Sequence, residues 1–327
     1  MKICVVGAGA IGGFIAGHLA RAGHDVSVVA RGAQLAAIGA NGLTVRKGGD
    51  GFTARCRASD DPVRLGAQDV VFLTLKAHDV AAMLPRVAPL LGAETVLVPA
   101  INGIPWWYFH KEGGTFDGSP VRCLDPDGRL LAAVDPSRIV GAVVQVAVHV
   151  PEPGVAEQIS PAAAFILGEP DGSASARATA VARAMSDAGL KTDVTPKIRD
   201  AIWTKLLGNI AFNPMSALAT ADLAEMFAQK PLIDLAARVV RETMDVAGCY
   251  GITFAITVEQ RLEVARKLGK YKPSMLQDVE RGRPMEVEAI VGTVVELGAR
   301  AGVATPVVDT IYALLKARDR ALRAANP

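Results

Sequence analysis

Six residues near the N-terminus restrict the fold more than any other part of the chain. Gly7-Ala8-Gly9-Ala10-Ile11-Gly12 follows directly on the apolar run Lys2-Ile-Cys-Val-Val6 and leads into Gly13 to Ala22, which has helical periodicity. A buried strand, a glycine-rich turn and a helix in that order make a dinucleotide-phosphate cradle. Gly7 permits the tight turn, Gly9 lets the backbone approach a pyrophosphate, and Gly12 lets helix and strand pack closely. The basic start and apolar run are also those of a secretory leader, but the glycine placement favours the strand. Gly23-His-Asp then supplies a turn and Val26-Ser-Val-Val-Ala30 a second strand, so the N-terminal half is expected to be a Rossmann-type α/β domain.

Where an NAD-binding chain places an acid for the ribose hydroxyls, Ala30 is followed here by Arg31, which suits a 2′-phosphate and points to NADPH/NADP+. Two further apolar runs, Asp69 to Lys76 and Thr95 to Gly103, deliver Lys76 and Asn102 to strand ends that face ligands in open α/β sheets. Lys76 can neutralise cofactor phosphate, and Asn102 can orient a nicotinamide or substrate oxygen. Their plain alternatives are a surface lysine and an Asn-Gly turn. Ile104 to Arg138 reads as a long loop or small hairpin, whose Trp106, Trp107 and Tyr108 either wall a substrate cleft or pack the loop down.

The chain of 327 residues is long enough for two domains, with a boundary expected at Thr195-Pro196: residues 1–195 for the dinucleotide and 196–327 for the substrate. Beyond it the pattern is helical almost throughout, with candidates at Met215–Met226, Pro231–Gly248, Val258–Leu268, Pro284–Ala301 and Pro306–Ala325. With 35 basic against 33 acidic residues and no charge runs, neither nucleic acid nor a membrane surface is an expected partner. Four dispersed cysteines and five histidines without ligand spacing indicate neither a disulfide framework nor a metal, and a cytoplasmic location is expected. The expected partners are a small molecule, which the family resemblance given below makes a 2-oxo acid, and, at most, a second copy of the chain in a homodimer.

The most telling feature of the second half is the helix-period segment Ala201–Leu218, on which Lys205, Asn209 and Asn213 stand four residues apart on one face. Trp203, Leu206, Leu207, Ile210 and Phe212 occupy the other faces, so much of this helix should be interior, where lysine is rarely found without a partner. An ammonium aimed at a ketone oxygen can stabilise the charge left by hydride addition and supply a proton. Carboxamides can fix a substrate hydroxyl without altering the site's charge. Ser274 after Pro273 has the bland alternative of a helix cap, and Glu286 that of a surface acid.

Gly7-x-Gly9-x-x-Gly12, Lys76, Asn102-Gly103, Lys205-x3-Asn209-x3-Asn213 and the stretch Pro273-Ser-Met-Leu-Gln-Asp to Arg283-x-x-Glu286 together resemble the ketopantoate reductase family, nearly end to end. The resemblance implies a Rossmann domain followed by a helical one, NADPH, and reduction of 2-dehydropantoate to pantoate. It implies that Lys205 is the general acid, that Asn209 and Asn213 bind substrate, and that Ser274 holds the substrate carboxylate. Lys76 and Asn102 match cofactor-contacting positions, and Glu286 an acidic position near the cofactor ribose. Three departures stand out: a further family Asn has no counterpart near Asp222-Leu223, the excursion after Asn102-Gly103 is longer, and Glu286-Val-Glu288 replaces Glu-x-Asp. They leave a reductase of another 2-oxo or 3-hydroxy acid, and a non-catalytic NADP(H) sensor, as alternatives.

Overall fold

A computed structural model describes residues 1–325. The chain divides into two compact units: Met1–Ile101, His110–Gly118 and Gly128–Ile198 form the first, and Asn102–Phe109, Ser119–Asp127 and Arg199–Pro327 the second. The main crossing is at residues 198 and 199, and two short stretches of the first half belong to the second unit, which a single cut at 195 does not allow.

In the first unit, β1 (Lys2–Val6), α1 (Ala10–Arg21), β2 (Asp25–Val29) and α2 (Gly32–Asn41) are followed by β3 (Leu43–Lys47), β4 (Asp50–Ala54), β5 (Arg57–Ser59) and β6 (Gln68–Leu73). Then come α3 (Val80–Met83), β7 (Leu91–Pro99), α4 (Arg129–Ala133), β8 (Gly141–Gln145), β9 (Val148–His149), β10 (Val155–Gln158), β11 (Ala164–Gly168), α5 (Ala176–Asp187) and β12 (Lys191–Val194). The main sheet has the order β5-β2-β1-β6-β7 and is parallel throughout. Its central strands are covered on both faces, which is why Ile3 to Val6 and Val70 to Leu73 are unbroken apolar runs and are buried. A parallel bridge from Leu97 to Ile139 extends the pairing toward β8, which is antiparallel to β11. The connection from β1 runs to β2 on one side while β6 lies on the other, so the end of β1 is the topological switch point where such sheets bind ligands.

A second sheet, β4-β3-β10-β9, was not expected from the sequence. It packs on α1, where a side chain at Gly13 would touch Ala156 and Leu43 and one at Gly17 would crowd Val45.

The second unit is helical: α6 (Ile198–Ala219), α7 (Leu223–Phe227), α8 (Lys230–Gly248), α9 (Val258–Arg266), α10 (Ser274–Glu280), a π-helical turn at Glu288–Gly292 running into α11 (Thr293–Ala301), and α12 (Pro306–Ala325). α6 continues through Pro214, although proline removes the N–H that would bond to Ile210, so the helix expected at Met215–Met226 is instead the end of α6 plus α7. α10 starts where Ser274 offered only the alternative of a helix cap, and regular α-helix in the Pro284–Ala301 candidate is confined largely to its last half.

The aromatic stretch of the excursion packs down into the interior. Trp106, Trp107, Tyr108 and Phe109 are all buried. Trp203 Nε1 donates to Tyr108 Oη at 2.8 Å, and Arg199 Nε to the Tyr108 carbonyl at 2.9 Å. Farther on, the Glu296 carboxylate accepts the backbone N–H groups of Arg122 and Cys123 at 2.8 and 2.7 Å, fixing the Ser119–Asp127 stretch. No helix among the described residues is long and apolar enough to cross a membrane.

Candidate active site

The end of α1 has the properties of a phosphate cradle. Gly7 adopts φ +101, closed to most side chains, and Thr74 from the end of β6 donates its hydroxyl to the Gly7 carbonyl at 2.7 Å. A β-carbon at Gly12 would overlap that same carbonyl oxygen and Thr74 Oγ1, so only glycine lets α1 start this close to β1. At Gly9, the N-cap, nothing lies within 4 Å of where a β-carbon would be, and no side chain caps the helix. The first-turn N–H groups of Ala10, Ile11 and Gly12 have no acceptor within the helix, and the exposed Gly9 leaves room beside this positive helix end, as a diphosphate requires. Ala8 is buried behind the turn. Arg31 is exposed at the N-cap of α2, directly beyond β2, and its side chain has no hydrogen-bond or ion-pair partner among the described residues. Lys76 is half-buried just past β6, where it opens a short 3-10 turn.

A second cluster gathers within the helical unit. Lys205 Nζ donates to Asn102 Oδ1 at 2.7 Å, and Asn102 Nδ2 donates to the buried Glu286 Oε2 at 3.3 Å. A carboxamide is the side chain suited to this place, because one end accepts from an ammonium and the other donates to a carboxylate. Asn102 thus links Lys205 to Glu286. Desolvation lowers the Lys205 pKa from 10.5 to about 8, against the opposing pull of the Glu286 charge.

One turn on from Lys205, Asn209 Nδ2 is buried and has no hydrogen-bond partner among the described residues. A further turn on, the buried Asn213 donates from Nδ2 to Ser274 Oγ at 3.1 Å. Ser274 is not a helix cap: Pro273 holds that position, and the Ser274 hydroxyl is turned to Asn213. Asp222, the nearest polar group to the missing family Asn, spends its carboxylate on a capping box with Glu225 at the start of α7.

Asn102 is held in place by its neighbour. Gly103 has φ +84, and a β-carbon there would fall on the carbonyl of Ala289, in the π-helical turn just after Glu286. That carbonyl accepts the Ile104 N–H at 2.9 Å. Gly103→Ala is therefore expected to combine left-handed strain of about 1–2 kcal/mol with a backbone displacement. Thermal denaturation should show the stability loss, and steady-state assays a fall in kcat of about tenfold or more; wild-type values for both would show that Gly103 does not position Asn102.

Sequence comparison gives this arrangement a lineage. The family profile described as ketopantoate reductase PanE/ApbA matches residues 3–112, and that described as ketopantoate reductase PanE/ApbA C terminal matches residues 197–319. The chain belongs to the ketopantoate reductase family. The 2-dehydropantoate 2-reductase of Mesorhizobium japonicum is 45% identical over 317 residues, covering 97% of each chain. A crystal structure from Ralstonia solanacearum, provisionally described as a ketopantoate reductase, superposes with a TM-score of 0.93 at 35% identity, covering 98% of both chains. D-Mandelate dehydrogenase, solved with NADH and anilino(oxo)acetate, shares the fold with a TM-score of 0.83 at 21% identity, covering 99% of this chain and all of its own.

Within this ketopantoate reductase fold, Lys205, Asn102 and Glu286 form one group and Asn213 and Ser274 another, with Asn209 between them on α6. Gly103 was read in the sequence only as part of a turn.

Proposed function

We propose that this oxidoreductase catalyses the NADPH-dependent reduction of 2-dehydropantoate to (R)-pantoate, with Lys205 as the general acid. The observation that carries the reading is the Lys205–Asn102–Glu286 chain, built around a lysine whose pKa burial lowers to about 8 while the Glu286 charge opposes the shift. When bound, the reduced nicotinamide supplies the hydride that the ketone carbon receives. Negative charge then builds on the carbonyl oxygen, where Lys205 Nζ stabilises it and gives up a proton. An ammonium has three hydrogens; Asn102 takes one, and the others are left for substrate.

Asn209 Nδ2 has a partner to gain, since a buried donor without one costs about 1–3 kcal/mol, and a substrate hydroxyl or carbonyl offsets that cost. Ser274 accepts from Asn213 and is left to donate its own proton to the substrate carboxylate. In the first unit the Gly7–Gly12 turn and Lys76 hold the diphosphate, and Arg31 the 2′-phosphate. A second reading, reduction of a different 2-oxo acid, is favoured by one observation: Asp222 is committed to its capping box and cannot replace the missing amide.

The test is loss of reduced-nicotinamide absorbance on mixing the purified protein with 2-dehydropantoate, with NADH and bulkier 2-oxo acids in parallel. Fast, NADPH-selective turnover of 2-dehydropantoate is the expected result. Faster turnover of another 2-oxo acid moves the assignment to the second reading, and silence across the panel removes both.

A further inference from the structure

α9 lays on α6 a cation that the chemistry above does not use. Arg261, four residues into α9, stacks its guanidinium over the backbone of Gly208; a β-carbon at 208 would lie 3.0 Å from both Cζ and Nη2 and 3.4 Å from Nε. Gly208 stands three residues after Lys205 and directly before Asn209. A glycine inside a helix costs about 1 kcal/mol relative to alanine, and here it clears the space the guanidinium occupies. Arg261 Nε is buried without an acceptor, and among the described residues no acidic side chain pairs with this arginine. Burial lowers its pKa with no carboxylate opposing the shift, yet arginine stays charged at any working pH.

Arg261 is half-buried, and a cation partly withdrawn from water without a counter-ion gains from an anionic ligand. The charge balance of the site says which ligand. Lys205 is matched by Glu286, while Asn102, Asn209, Asn213 and Ser274 are neutral. A 2-oxo acid adds one negative charge to a region that already holds a buried carboxylate. Without another cation that charge has only neutral donors to meet it.

We propose that Arg261 is the carboxylate-recognising residue of the substrate site, held over Gly208 so that its terminal nitrogens clamp the carboxylate of a 2-oxo acid while Lys205 addresses the ketone. The inference rests on the reading of the site as one for a 2-oxo acid. Ser274 contributes a hydrogen bond to the same carboxylate, and Arg261 the charge. Paired guanidinium–carboxylate contacts are geometrically selective, so lysine should be a poor substitute.

Three variants test this: Arg261→Ala, Arg261→Lys and Gly208→Ala, each checked for wild-type melting. With 2-dehydropantoate, Arg261→Ala should raise KM about 10- to 100-fold, the range for a hydrogen bond to a charged group, with a much smaller change in kcat and unchanged NADPH affinity. Arg261→Lys should recover part of the loss, and Gly208→Ala, by displacing the guanidinium, should reproduce part of it. A purely structural role would weaken a 2-oxo acid and its methyl ester alike, whereas carboxylate recognition makes the variant lose its preference for the acid. Calorimetric titration with oxamate, a carboxylate isostere of a 2-oxo acid, separates this idea from the functional assignment. If 2-dehydropantoate is not turned over but oxamate binds wild type and not Arg261→Ala, the carboxylate site stands and the substrate assignment fails. No oxamate binding to wild type, equal binding to the variant, or a loss confined to NADPH overturns the proposal.

Discussion

Lys205→Ala is expected to reduce kcat by about 10²–10⁴-fold, the range for removing a positioned general acid, while leaving NADPH affinity near wild type. With the proposed role confined to the reacting oxygen, the loss should appear equally in kcat and kcat/KM, the signature of an interaction made in the transition state. Lys205→Arg should not rescue it, because a guanidinium stays protonated and cannot transfer the proton. The pH dependence follows from the same group. With Lys205 as the proposed acid, a pKa lowered to about 8 predicts kcat/KM level below that pH and falling as pH rises through it. Glu286 pulls this pKa upward, so Glu286→Gln should move the falling limb to lower pH. A Lys205→Ala enzyme of undiminished turnover, or a limb that does not move in Glu286→Gln, would remove Lys205 from the acid role.

Gly12→Ala should abolish useful dinucleotide binding. Its β-carbon would land on the Gly7 carbonyl and the Thr74 hydroxyl, two groups already bonded to each other at the switch point. Neither is the end of a flexible side chain, so the start of α1 has to lift away from β1, at the usual overpacking cost of about 1–3 kcal/mol. A rise in the NADPH Kd of about 100-fold, some 2.7 kcal/mol, together with a lowered Tm is the expected outcome. Gly9→Ala is the informative partner, because open space surrounds that position. It should melt like wild type and bind NADPH more weakly, since its methyl would occupy only room left for a ligand. Equal melting and equal binding in both variants would disprove the cradle.

The sequence carried the parallel sheet and α6 well because both rest on strong periodic signals: unbroken apolar strands, and polar groups at four-residue spacing on an otherwise apolar helix. The sheet β4-β3-β10-β9 was harder to see. Its strands are short, and β3 ends in charged Arg46 and Lys47; the Gly48-Gly49 turn joining β3 to β4 was the available clue. The site residues were legible as types but not as partners. Asn102 and Glu286 are 184 positions apart, and no spacing rule connects them to each other or to Lys205. Trp106 to Phe109 were ambiguous for a simpler reason, since aromatic residues look the same whether they line a ligand or fill a core, and here they fill a core.

The membership of residues 102–109 in the helical unit has a consequence for how the protein comes off the ribosome. This strap is synthesised well before Arg199 to Pro327, and with it go Tyr108, which receives the Trp203 indole, and Asn102, which receives Lys205. Tyr108 and Phe109 meet Trp203 and Tyr250 only once the helical unit has been made. A C-terminal fragment made alone would lack both Tyr108 and the amide that accepts from Lys205. A fragment from Arg199 onward is therefore expected to fold only when the strap is supplied as a separate peptide.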